Sequence, residues 1–164
     1  MTSPLKAPEP LNSSHRLDAF ACGEPVLDDW LKRRAMPNQA SGASRTFIVA
    51  DVDGRVWGYY ALAAGGVSHA WATPAVRRNM PHPVPVMVLA RLAVATGAQG
   101  MQLGGSLLQD AVQRAVAVSQ QAGVRALLVH ALHERARLFY VHYGFQASPV
   151  HPLTLMLGLN TVKG

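Results

Sequence analysis

Residues 89–108 read LARLAVATGAQGMQLGGSLL, and this stretch decides the fold of the chain. It passes from an apolar run through a glycine-rich turn into residues spaced as in a helix. A strand that leads through such a turn into a helix presents several unpaired main-chain N–H groups to one point, with the positive end of the helix dipole behind them. The pattern predicts a phosphate or diphosphate site, with a purely structural tight turn as the alternative.

Two common phosphate-binding motifs are excluded because their essential residues are missing from this turn. No Lys-Ser or Lys-Thr pair follows the glycines, so the turn is not the P-loop of an NTPase. The three-glycine pattern of dinucleotide-binding folds and its acidic residue about 20 positions later are also absent. The NTPase and dinucleotide interpretations are therefore dropped.

Strand and helix patterns extend in both directions from the turn. Residues 86–94 form an apolar run interrupted by Arg91, which is typical of a central strand. Apolar residues recur at helical spacing from Leu103 onward, which predicts an amphipathic helix ending near Gly123. The other predicted strands are residues 45–51 and 56–64, joined as a hairpin by an Asp-Gly turn, and residues 124–129, 145–148 and 153–159.

Three further helical segments are predicted. One begins at Gly23-Glu24-Pro25, where acidic residues precede basic ones as the helix dipole favours, and it ends at Met36-Pro37-Asn38. A short helical turn covers residues 75–80, and a longer helix covers residues 134–142. Strands and helices both contribute, so the sequence predicts a mixed α/β protein.

Length and composition favour one soluble domain. The chain has 164 residues and is 49% hydrophobic, which fits a single domain over residues 1–164 with residues 1–12 as an extended arm. No run approaches the ~18 to 20 apolar residues needed to cross a bilayer, and no basic segment leads into an apolar run at the N-terminus. A cytoplasmic protein without a membrane partner is expected.

Metal and disulfide chemistry is not expected. Cys22 is the single cysteine, so no internal disulfide and no thiolate cluster for zinc can form. The seven histidines include no pair at metal-ligand spacing with a carboxylate, and His133-Glu134 is only a partial match. The sequence predicts no metal site.

The net charge of +6 is unevenly spread. Residues 1–54 carry six Lys or Arg against seven acids, whereas residues 55–164 carry nine against two, Asp110 and Glu134. A surface so poor in acids attracts polyanions such as nucleic acid or phosphorylated cofactors. A basic protein without a nucleic-acid partner remains the alternative on charge alone.

Several blocks of the sequence resemble one known family. Residues 89–94 (LARLAV), 99–104 (QGMQLG) and 136–145 (ARLFYVHYGF) resemble GNAT acetyltransferases in their order and spacing. Residues 23–31 (GEPVLDDWL), 45–47 (RTF) and 77–81 (RRNMP) are similar to one branch of that family, the tRNA-acetylating toxins of toxin–antitoxin pairs. The resemblance covers nearly the whole chain.

This resemblance implies a fold and a cofactor site. The fold is the GNAT fold, an α/β (α+β mixed) architecture with a central, mixed, splayed sheet flanked by helices. Acetyl-coenzyme A would lie between the strands at 86–94 and 124–129, with the Val94 amide polarising the thioester carbonyl. The residues implied to bind this cosubstrate are Leu92, Ala93, Val94, Gln99, Gly100, Met101, Gln102, Leu103, Gly104, Gly105, Ser106 and Phe139.

The diphosphate motif of the family, Q/R-x-x-G-x-G/A, aligns with residues 99–104 with one departure. Gln102 stands where the pattern has its first glycine. A glutamine there can still donate its main-chain amide provided its backbone keeps a negative φ, and its side chain can add a donor to a phosphate. An active enzyme is expected, because Gln99 and Gly104 are retained.

Tyr140 is the expected catalytic acid. A phenol with a reference pKa of ~10 can donate a proton to a departing thiolate, and in the resembling toxins the tyrosine of this Phe-Tyr pair does so. A core aromatic is the alternative for Tyr140. Tyr143 and Phe145 are expected to be core and helix-exit residues, with Gly144 as a left-handed cap. No general base is evident, and the α-amine of an aminoacyl ester needs none near neutral pH.

The resemblance also implies a substrate and partners. The expected activity is acetylation of the α-amino group of aminoacyl-tRNA, which blocks translation; which aminoacyl-tRNA is used is not encoded in any motif. The expected partners are a ribbon-helix-helix antitoxin, operator DNA reached only through that antitoxin, and a second copy of the chain in a homodimer. Candidates for gripping tRNA phosphates are Lys32, Arg33, Arg34, Arg45, Arg77, Arg78 and Arg91.

Two alternatives to this activity stay open at the level of sequence. One is a GNAT enzyme that acetylates a small-molecule amine or a protein amine. The other is a non-catalytic module that binds coenzyme A or acts as a co-repressor, because a fold does not establish an activity.

Overall fold

The protein is described by a computed structural model over residues 4–161. Its strands are β1 (Glu9–Pro10), β2 (Arg45–Ala50), β3 (Val56–Val67), β4 (Val84–Val94), β5 (Ala126–His130), β6 (Gln146–Ala147) and β7 (Thr154–Gly158). Its helices are α1 (Pro25–Arg33), α2 (Ala35–Ser41), α3 (Pro74–Arg77), α4 (Leu103–Ser119) and α5 (Glu134–His142). Single 3-10 turns cover Thr96–Ala98 and Leu159–Thr161.

The strands form one seven-stranded sheet in the order β1-β2-β3-β4-β5-β7-β6. The pairs β1–β2, β2–β3, β5–β7 and β6–β7 are antiparallel, whereas β4 and β5 are parallel. Their parallel register joins residues 86–89 to residues 126–129, and β4 continues beyond it to Val94. The predicted mixed α/β fold, with β4 central in its sheet, is confirmed.

By their contacts, the described residues divide into two units. The first unit contains residues 4–63 and 91–111, and the second contains residues 64–90 and 112–161. Strands β3 and β4 and helix α4 contribute residues to both. The single-domain interpretation of the sequence stays a prediction.

In the first unit, β3 carries helices on both of its faces. Tyr59 is buried and stacks on Trp30 of α1 with ring centroids 6.0 Å apart. The next residue, Tyr60, faces the other way, as strand periodicity requires, and its hydroxyl donates to the carboxylate of Asp110 on α4. These contacts fix α1 and the first half of α4 against the sheet.

The second unit has its own apolar core. Three partly buried side chains pack against this core, those of Trp71, Met80 and Val88. The buried members are Val67, Ala72, Val76, Val84, Val86, Ala126, Leu128 and Met156.

The helix predicted to end at Met36-Pro37-Asn38 is in fact two helices, so that boundary was wrong. Helix α1 ends at Arg33, and α2 runs from Ala35 to Ser41 with Pro37 as its third residue. Proline is tolerated in the first turn of a helix because its missing N–H has no partner there. The proline therefore lies inside a helix start instead of ending the helix before it.

Three other element boundaries differ from the sequence prediction. Residues 9–10 of the expected extended arm form β1, which pairs with β2. Strand β3 extends to Val67, where Gly65 lies so close to Val88 that a Cβ would approach its Cγ2 to 2.8 Å. Helix α4 ends at Ser119, before Gly123, because the N–H groups of residues 120 and 121 bond three residues back and tighten the chain.

Candidate active site

The predicted diphosphate-binding turn lies between β4 and α4, in the first unit. After β4 ends at Val94, a 3-10 turn and a tight turn over residues 99–102 lead to the start of α4 at Leu103. The backbone is left-handed at two residues of this turn, with φ of 85° at Gly100 and 61° at Gln102. The segment that decides the fold therefore adopts the strand-turn-helix arrangement.

Three main-chain N–H groups at the start of α4 are available to a ligand. Leu103, Gly104 and Gly105 lie in the first helical turn, where no carbonyl one turn earlier in the helix can accept from them. Over residues 4–161, no described hydrogen bond uses these three donors. A phosphate group suits both the unused donors and the positive end of the helix dipole.

The side chain of Gln99 holds this turn in place. Its amide nitrogen donates to the carbonyl oxygen of Cys22 at 2.9 Å and to that of Val94 at 3.0 Å. The N–H of Thr96 donates to the carbonyl oxygen of Ala21 at 2.8 Å, next to the first of these bonds. Gln99 thus links the end of β4 to the segment before α1, and its side chain acts as a positioning group for the turn.

The condition of a negative φ at Gln102 is not met, because its backbone is left-handed. The turn requires a left-handed backbone at this position, which explains why the family pattern has a glycine there. A non-glycine residue in this conformation costs roughly 1–2 kcal/mol. The Gln102 side chain is exposed, and within residues 4–161 nothing hydrogen bonds to it, while its carbonyl accepts from the N–H of Ser106 at 3.2 Å.

The turn and α4 are seated on β3. A Cβ on Gly58 would lie 2.9 Å from Cδ1 of Leu107, so α4 approaches the strand at a residue without a side chain. A Cβ on Gly97 would lie 3.0 Å from Cζ3 of Trp57, whose carbonyl accepts from the N–H of Ala95 at 2.9 Å. Close packing at these two glycines fixes the position of the helix N-terminus.

The residues expected to hold the pantetheine arm lie at the end of β4. Leu92 and Val94 are partly exposed and lie on one face of the strand, whereas Ala93 is buried on the other. Met101 is half exposed in the turn, and the Ser106 hydroxyl donates to the Gln102 carbonyl at 3.3 Å. All predicted cosubstrate residues except Phe139 are thus brought together in the first unit.

Near the end of β4, an aromatic and cationic group includes residues that the sequence analysis missed. The Arg91 guanidinium lies over the Trp30 ring, 5.2 Å from its centroid, and Trp30 stacks on Tyr59. The Tyr59 hydroxyl donates to the carbonyl oxygen of Leu27 at 2.8 Å, and burial raises its pKa. Arg91 was expected to contact tRNA, but no sequence pattern links it to an aromatic residue 61 positions earlier.

Cys22 lies beside Asp28 at the start of α1. Its main-chain N–H donates to Oδ1 of Asp28 at 2.9 Å, and its thiol donates to the carbonyl oxygen of Glu24. Burial, aided by the hydrogen bond with Asp28, raises the pKa of the thiol to about 11. This cysteine therefore stays protonated at neutral pH and is a poor nucleophile.

Tyr140 lies on α5 in the second unit. Its ring is buried, with the Phe139 centroid at 5.2 Å and the Phe145 centroid at 5.5 Å. Over residues 4–161 nothing hydrogen bonds to its hydroxyl, yet that oxygen is not among the fully buried atoms lacking a partner. Burial raises the pKa of Tyr140 above its usual value. The phenol is thus a buried, protonated donor whose hydroxyl has no hydrogen-bond partner among the described residues.

The rest of the α5 exit agrees in part with expectation. Gly144 has φ of 94°, as expected for a left-handed cap, and Phe145 is buried. Tyr143 is 44% exposed, so the prediction of a core residue was wrong for this position. Helix α5 turns Tyr140 inward, and Tyr143, three residues later, packs on the outside against Phe139 with centroids 5.1 Å apart.

The basic residues expected to contact tRNA have different surroundings. Lys32, Arg33 and Arg34 are exposed at the end of α1, and the Arg45 side chain donates to the carbonyl oxygen of Gln39 at 2.7 Å. They lie in the first unit, as does Arg91.

Arg77 and Arg78 lie in the second unit. Nη1 of Arg77 donates to the carbonyl oxygens of His69 and Ala72, at 3.2 and 3.0 Å, so this guanidinium holds its own loop together. Arg78 is exposed.

Two further features bear on the type of site. Among residues 4–161, no three His, Cys, Asp or Glu side chains are grouped so that they can hold a metal ion. No helix in the same part of the chain is both long and apolar enough to cross a membrane.

Comparison with known proteins gives the family. Residues 43–147 match the family described as acetyltransferase (GNAT) domain. The chain belongs to the GNAT acetyltransferase family. A relative in Mycobacterium tuberculosis (strain ATCC 25618 / H37Rv), described as a tRNA-acetylating toxin, is 52% identical over 155 residues, which cover 94% of this chain and 93% of the relative. The predicted family and its toxin branch are confirmed.

Solved structures of related toxins have the same fold. AtaT complexed with acetyl-methionyl-tRNAfMet is 25% identical with a TM-score of 0.88, covering 96% of both chains. A tyrosine-to-phenylalanine mutant of AtaT bound to acetyl-CoA and the C-terminus of the antitoxin AtaR is 25% identical with a TM-score of 0.81, covering 97% of this chain and 96% of that one. The AtaT–AtaR complex bound to DNA is 25% identical with a TM-score of 0.78, covering 95% and 96%.

Proposed function

We propose that this chain transfers the acetyl group of acetyl-CoA to the α-amino group of an amino acid carried on tRNA. The observation that carries the proposal is the 52% identity, over 94% of the chain, to a tRNA-acetylating toxin. The structural likeness to AtaT complexed with acetyl-methionyl-tRNAfMet supports the same substrate class.

The turn before α4 fits the diphosphate of acetyl-CoA. Leu103, Gly104 and Gly105 offer unused main-chain donors at a helix N-terminus, and Gly100 leaves room for close approach. The pantetheine arm would be held by Leu92, Ala93 and Val94. The hydrogen bond from Gln99 to the Val94 carbonyl fixes this strand end to the turn. The bound cosubstrate supplies an activated acetyl group as a thioester.

Tyr140 is the proposed general acid. As the amine nitrogen bonds to the acetyl carbon and the carbon–sulfur bond breaks, the phenol donates its proton to the departing thiolate sulfur. Its raised pKa keeps it protonated at neutral pH, and the phenolate regains a proton from water before the next turnover. The amine proton passes to water, because an α-amine has a pKa near ~7.7 to 8.0 and is partly neutral in the cell.

The proposal extends to the biological setting. Acetylation of the α-amine prevents peptide-bond formation by that aminoacyl group, so we propose that the enzyme blocks translation in the cytoplasm. We also propose that a ribbon-helix-helix antitoxin neutralises it, that the pair binds operator DNA through the antitoxin, and that two copies of the chain form a homodimer. The complexes of AtaT with AtaR and with DNA support the first two of these partners.

The decisive experiment presents competing amines to one preparation of enzyme. Purified protein is incubated with acetyl-CoA and a pool of charged tRNA, and nuclease digestion followed by mass spectrometry identifies acetylated aminoacyl-adenosine. The same reaction contains free amino acids and a Lys-rich protein as alternative acceptors. We expect the acetyl group on aminoacyl-adenosine, and the mass identifies the amino acid.

Deacylated tRNA is the matched negative control, because it offers the same phosphates without the α-amine. Release of coenzyme A thiol with charged but not deacylated tRNA supports the proposal. Acetyl groups recovered only on free amines or protein would replace it with the broader acetyltransferase function, and no thiol release with any acceptor would indicate a non-catalytic module.

A further inference from the structure

The excess positive charge of the chain belongs entirely to one unit. Residues 1–63 and 91–111 contain eight Lys or Arg and eight Asp or Glu, a net charge of 0. Residues 64–90 and 112–164 contain seven Lys or Arg and one acid, a net charge of +6. That acid, Glu134, is paired with Arg137 on the same helix. A polyanion is therefore attracted to the second unit more than to the first.

A cavity with a mixed polar and apolar lining lies in this unit. It has a volume of about 300 Å³, and its lining includes Arg78, Arg125, Gln146 and Asn160. Arg125 and Asn160 also line a neighbouring cavity of about 450 Å³, together with Ser119 and Gln120. Among the described residues, no Asp or Glu lines either cavity. Beside apolar side chains such as Val76, Met156 and Leu157, the described lining thus carries cationic, amide and hydroxyl groups and no competing carboxylate.

The guanidinium of Arg125 is held rigidly at this cavity. Its Nε donates to the carbonyl oxygen of Val76 at 3.2 Å, and its Nη2 donates to those of Ala75 and Arg78 at 3.2 and 3.3 Å. Within residues 4–161, Nη1 has no partner and is not fully buried. A guanidinium fixed on one edge, with donors left on the other, loses little side-chain entropy when it binds a phosphate.

Arg78 adds a second, movable charge. Its carbonyl oxygen accepts from Arg125, so the two residues are adjacent. Its own side chain is exposed and makes no hydrogen bond or ion pair within residues 4–161. One fixed and one movable guanidinium can contact the same phosphate from two sides. The amides of Gln146 and Asn160 can donate to and accept from ribose hydroxyls.

We propose that the cavity lined by Arg78 and Arg125 binds a phosphodiester of the tRNA substrate. This inference rests on the proposed function, which supplies RNA as the polyanion, and it adds Arg125, Gln146 and Asn160 to the residues that contact it. A cavity near 300 Å³ lies at the small end of the ~300–1,000 Å³ range of ligand pockets. It suits one nucleotide unit, and the neighbouring cavity can receive the next.

The test measures binding of deacylated tRNA over a series of salt concentrations, so it does not depend on catalysis. Arg78→Gln is the main variant, because the Arg78 side chain holds no other part of the described structure. We expect it to weaken binding roughly tenfold, as for loss of a charge-assisted hydrogen bond, and to reduce the slope of log affinity against log salt by about 0.7–0.9. Arg78→Lys should retain most of the slope.

Lys6→Gln is the matched control, because it removes one positive charge from an exposed residue of the first unit. Its effect on affinity should stay within about twofold. For Arg125→Gln, tRNA binding is measured together with a thermal melting curve, because this substitution also removes three hydrogen bonds to main-chain carbonyls and can lower stability. The KM for acetyl-CoA should not change in Arg78→Gln, which separates tRNA binding from cosubstrate binding.

A crosslinking experiment locates the contact directly. Gln146→Cys is labelled with an azidophenacyl group, and Cys22 does not compete because it is buried with a raised thiol pKa. Irradiation should attach the protein to tRNA, and excess unlabelled tRNA, but not poly-glutamate, should suppress the adduct. Suppression by poly-glutamate alone, with tRNA without effect, overturns the inference in favour of an acidic peptide site.

The outcomes separate this inference from the proposed function. If the wild-type protein neither binds tRNA nor acetylates charged tRNA, the proposed function fails. If it does both, but Arg78→Gln keeps wild-type affinity and salt slope and Gln146→Cys gives no adduct, the inference alone is wrong.

Discussion

The side-chain amide of Gln99 donates to the carbonyl oxygen of Val94 across 3.0 Å, so the first residue of the turn is fixed to the last residue of β4. The same amide reaches the carbonyl oxygen of Cys22, 77 residues earlier in the chain. One glutamine therefore sets the distance between the strand end, where the acetyl arm is expected, and the helix N-terminus, where the diphosphate is expected.

Gln99→Leu should raise the KM for acetyl-CoA roughly tenfold, because two hydrogen bonds of about 1 kcal/mol each are lost and the turn loosens. The kcat should stay within about twofold, since Tyr140 is unchanged. Initial rates with acetyl-CoA varied at saturating charged tRNA give both constants. Gln109→Leu, on the exposed side of α4, is the control and should leave both constants unchanged. A loss of kcat at constant KM would contradict the positioning role.

Gln102→Gly should increase the free energy of unfolding by about 0.5–1 kcal/mol, because glycine adopts φ of 61° without the clash of a Cβ. The melting temperature should rise by about 2–3 °C. Gln109→Gly is the same substitution in the interior of α4, and it should lower the free energy of unfolding by about 1 kcal/mol. Urea titrations of the wild type and the two variants check that the changes in the free energy of unfolding have opposite signs. Changes of the same sign would show that the turn does not require a left-handed backbone at residue 102.

Tyr140→Phe should lower kcat by a factor of roughly 10²–10⁴ and leave the KM for acetyl-CoA nearly unchanged. Tyr143→Phe, on the exposed side of the same helix, is the control and should have wild-type rates. If the Tyr140→Phe enzyme keeps the wild-type kcat, another group donates the proton to the thiolate.

The pH profile follows from the same phenol. A general acid must be protonated, so its activity is lost as pH rises through its pKa, and burial raises the pKa of Tyr140. The wild-type rate should therefore rise as the α-amine loses its proton near pH ~7–8 and show no decline before pH ~10. Rates from pH 6 to 10 check this, and a decline near pH 8 would exclude a buried tyrosine as the acid.

Cys22 should make stability fall at alkaline pH. Its thiol has a pKa of 9.0 ordinarily and of about 11 in the folded chain, so above pH 9 the unfolded chain releases this proton while the folded chain retains it. The stabilisation is complete below pH 9 and is lost as pH rises toward 11. Urea unfolding between pH 8 and 10.5 should show a steeper decline in the wild type than in Cys22→Ala, and parallel curves would contradict the shift.

Local patterns predicted those parts of the fold that depend on local physics. The apolar run of β4, the glycine-rich turn and the periodic apolar residues of α4 are consecutive in the chain, so their geometry follows from strand, turn and helix preferences. Pro37 shows the limit of such rules. A proline both begins and ends helices, and only the hydrogen bond from Asn38 to Arg34 in the structure shows which it does here.

The features that the sequence did not predict depend on distant residues. A negative φ at Gln102 was the condition for donation by its amide, and the sequence could not show whether it is met. Close packing of α4 on Gly58 and of the turn on Trp57 constrains the path of the chain around this residue, whose φ is positive. Arg91 stacks on Trp30, which lies 61 residues earlier. The hydrogen bonds of Arg125 likewise reach carbonyls about 50 residues earlier in the chain. Such contacts leave no periodic pattern in the sequence.

The unequal charge of the two units has a kinetic consequence. At physiological ionic strength a field is screened within about 8 Å, so an RNA molecule responds to whichever unit it nears first. Encounters with the cationic unit are prolonged, whereas those with the neutral unit end quickly, so most productive collisions begin at the cationic unit. The association rate constant for tRNA should thus be high at low salt and fall steeply as salt is added, even where the contacts in the final complex are unchanged.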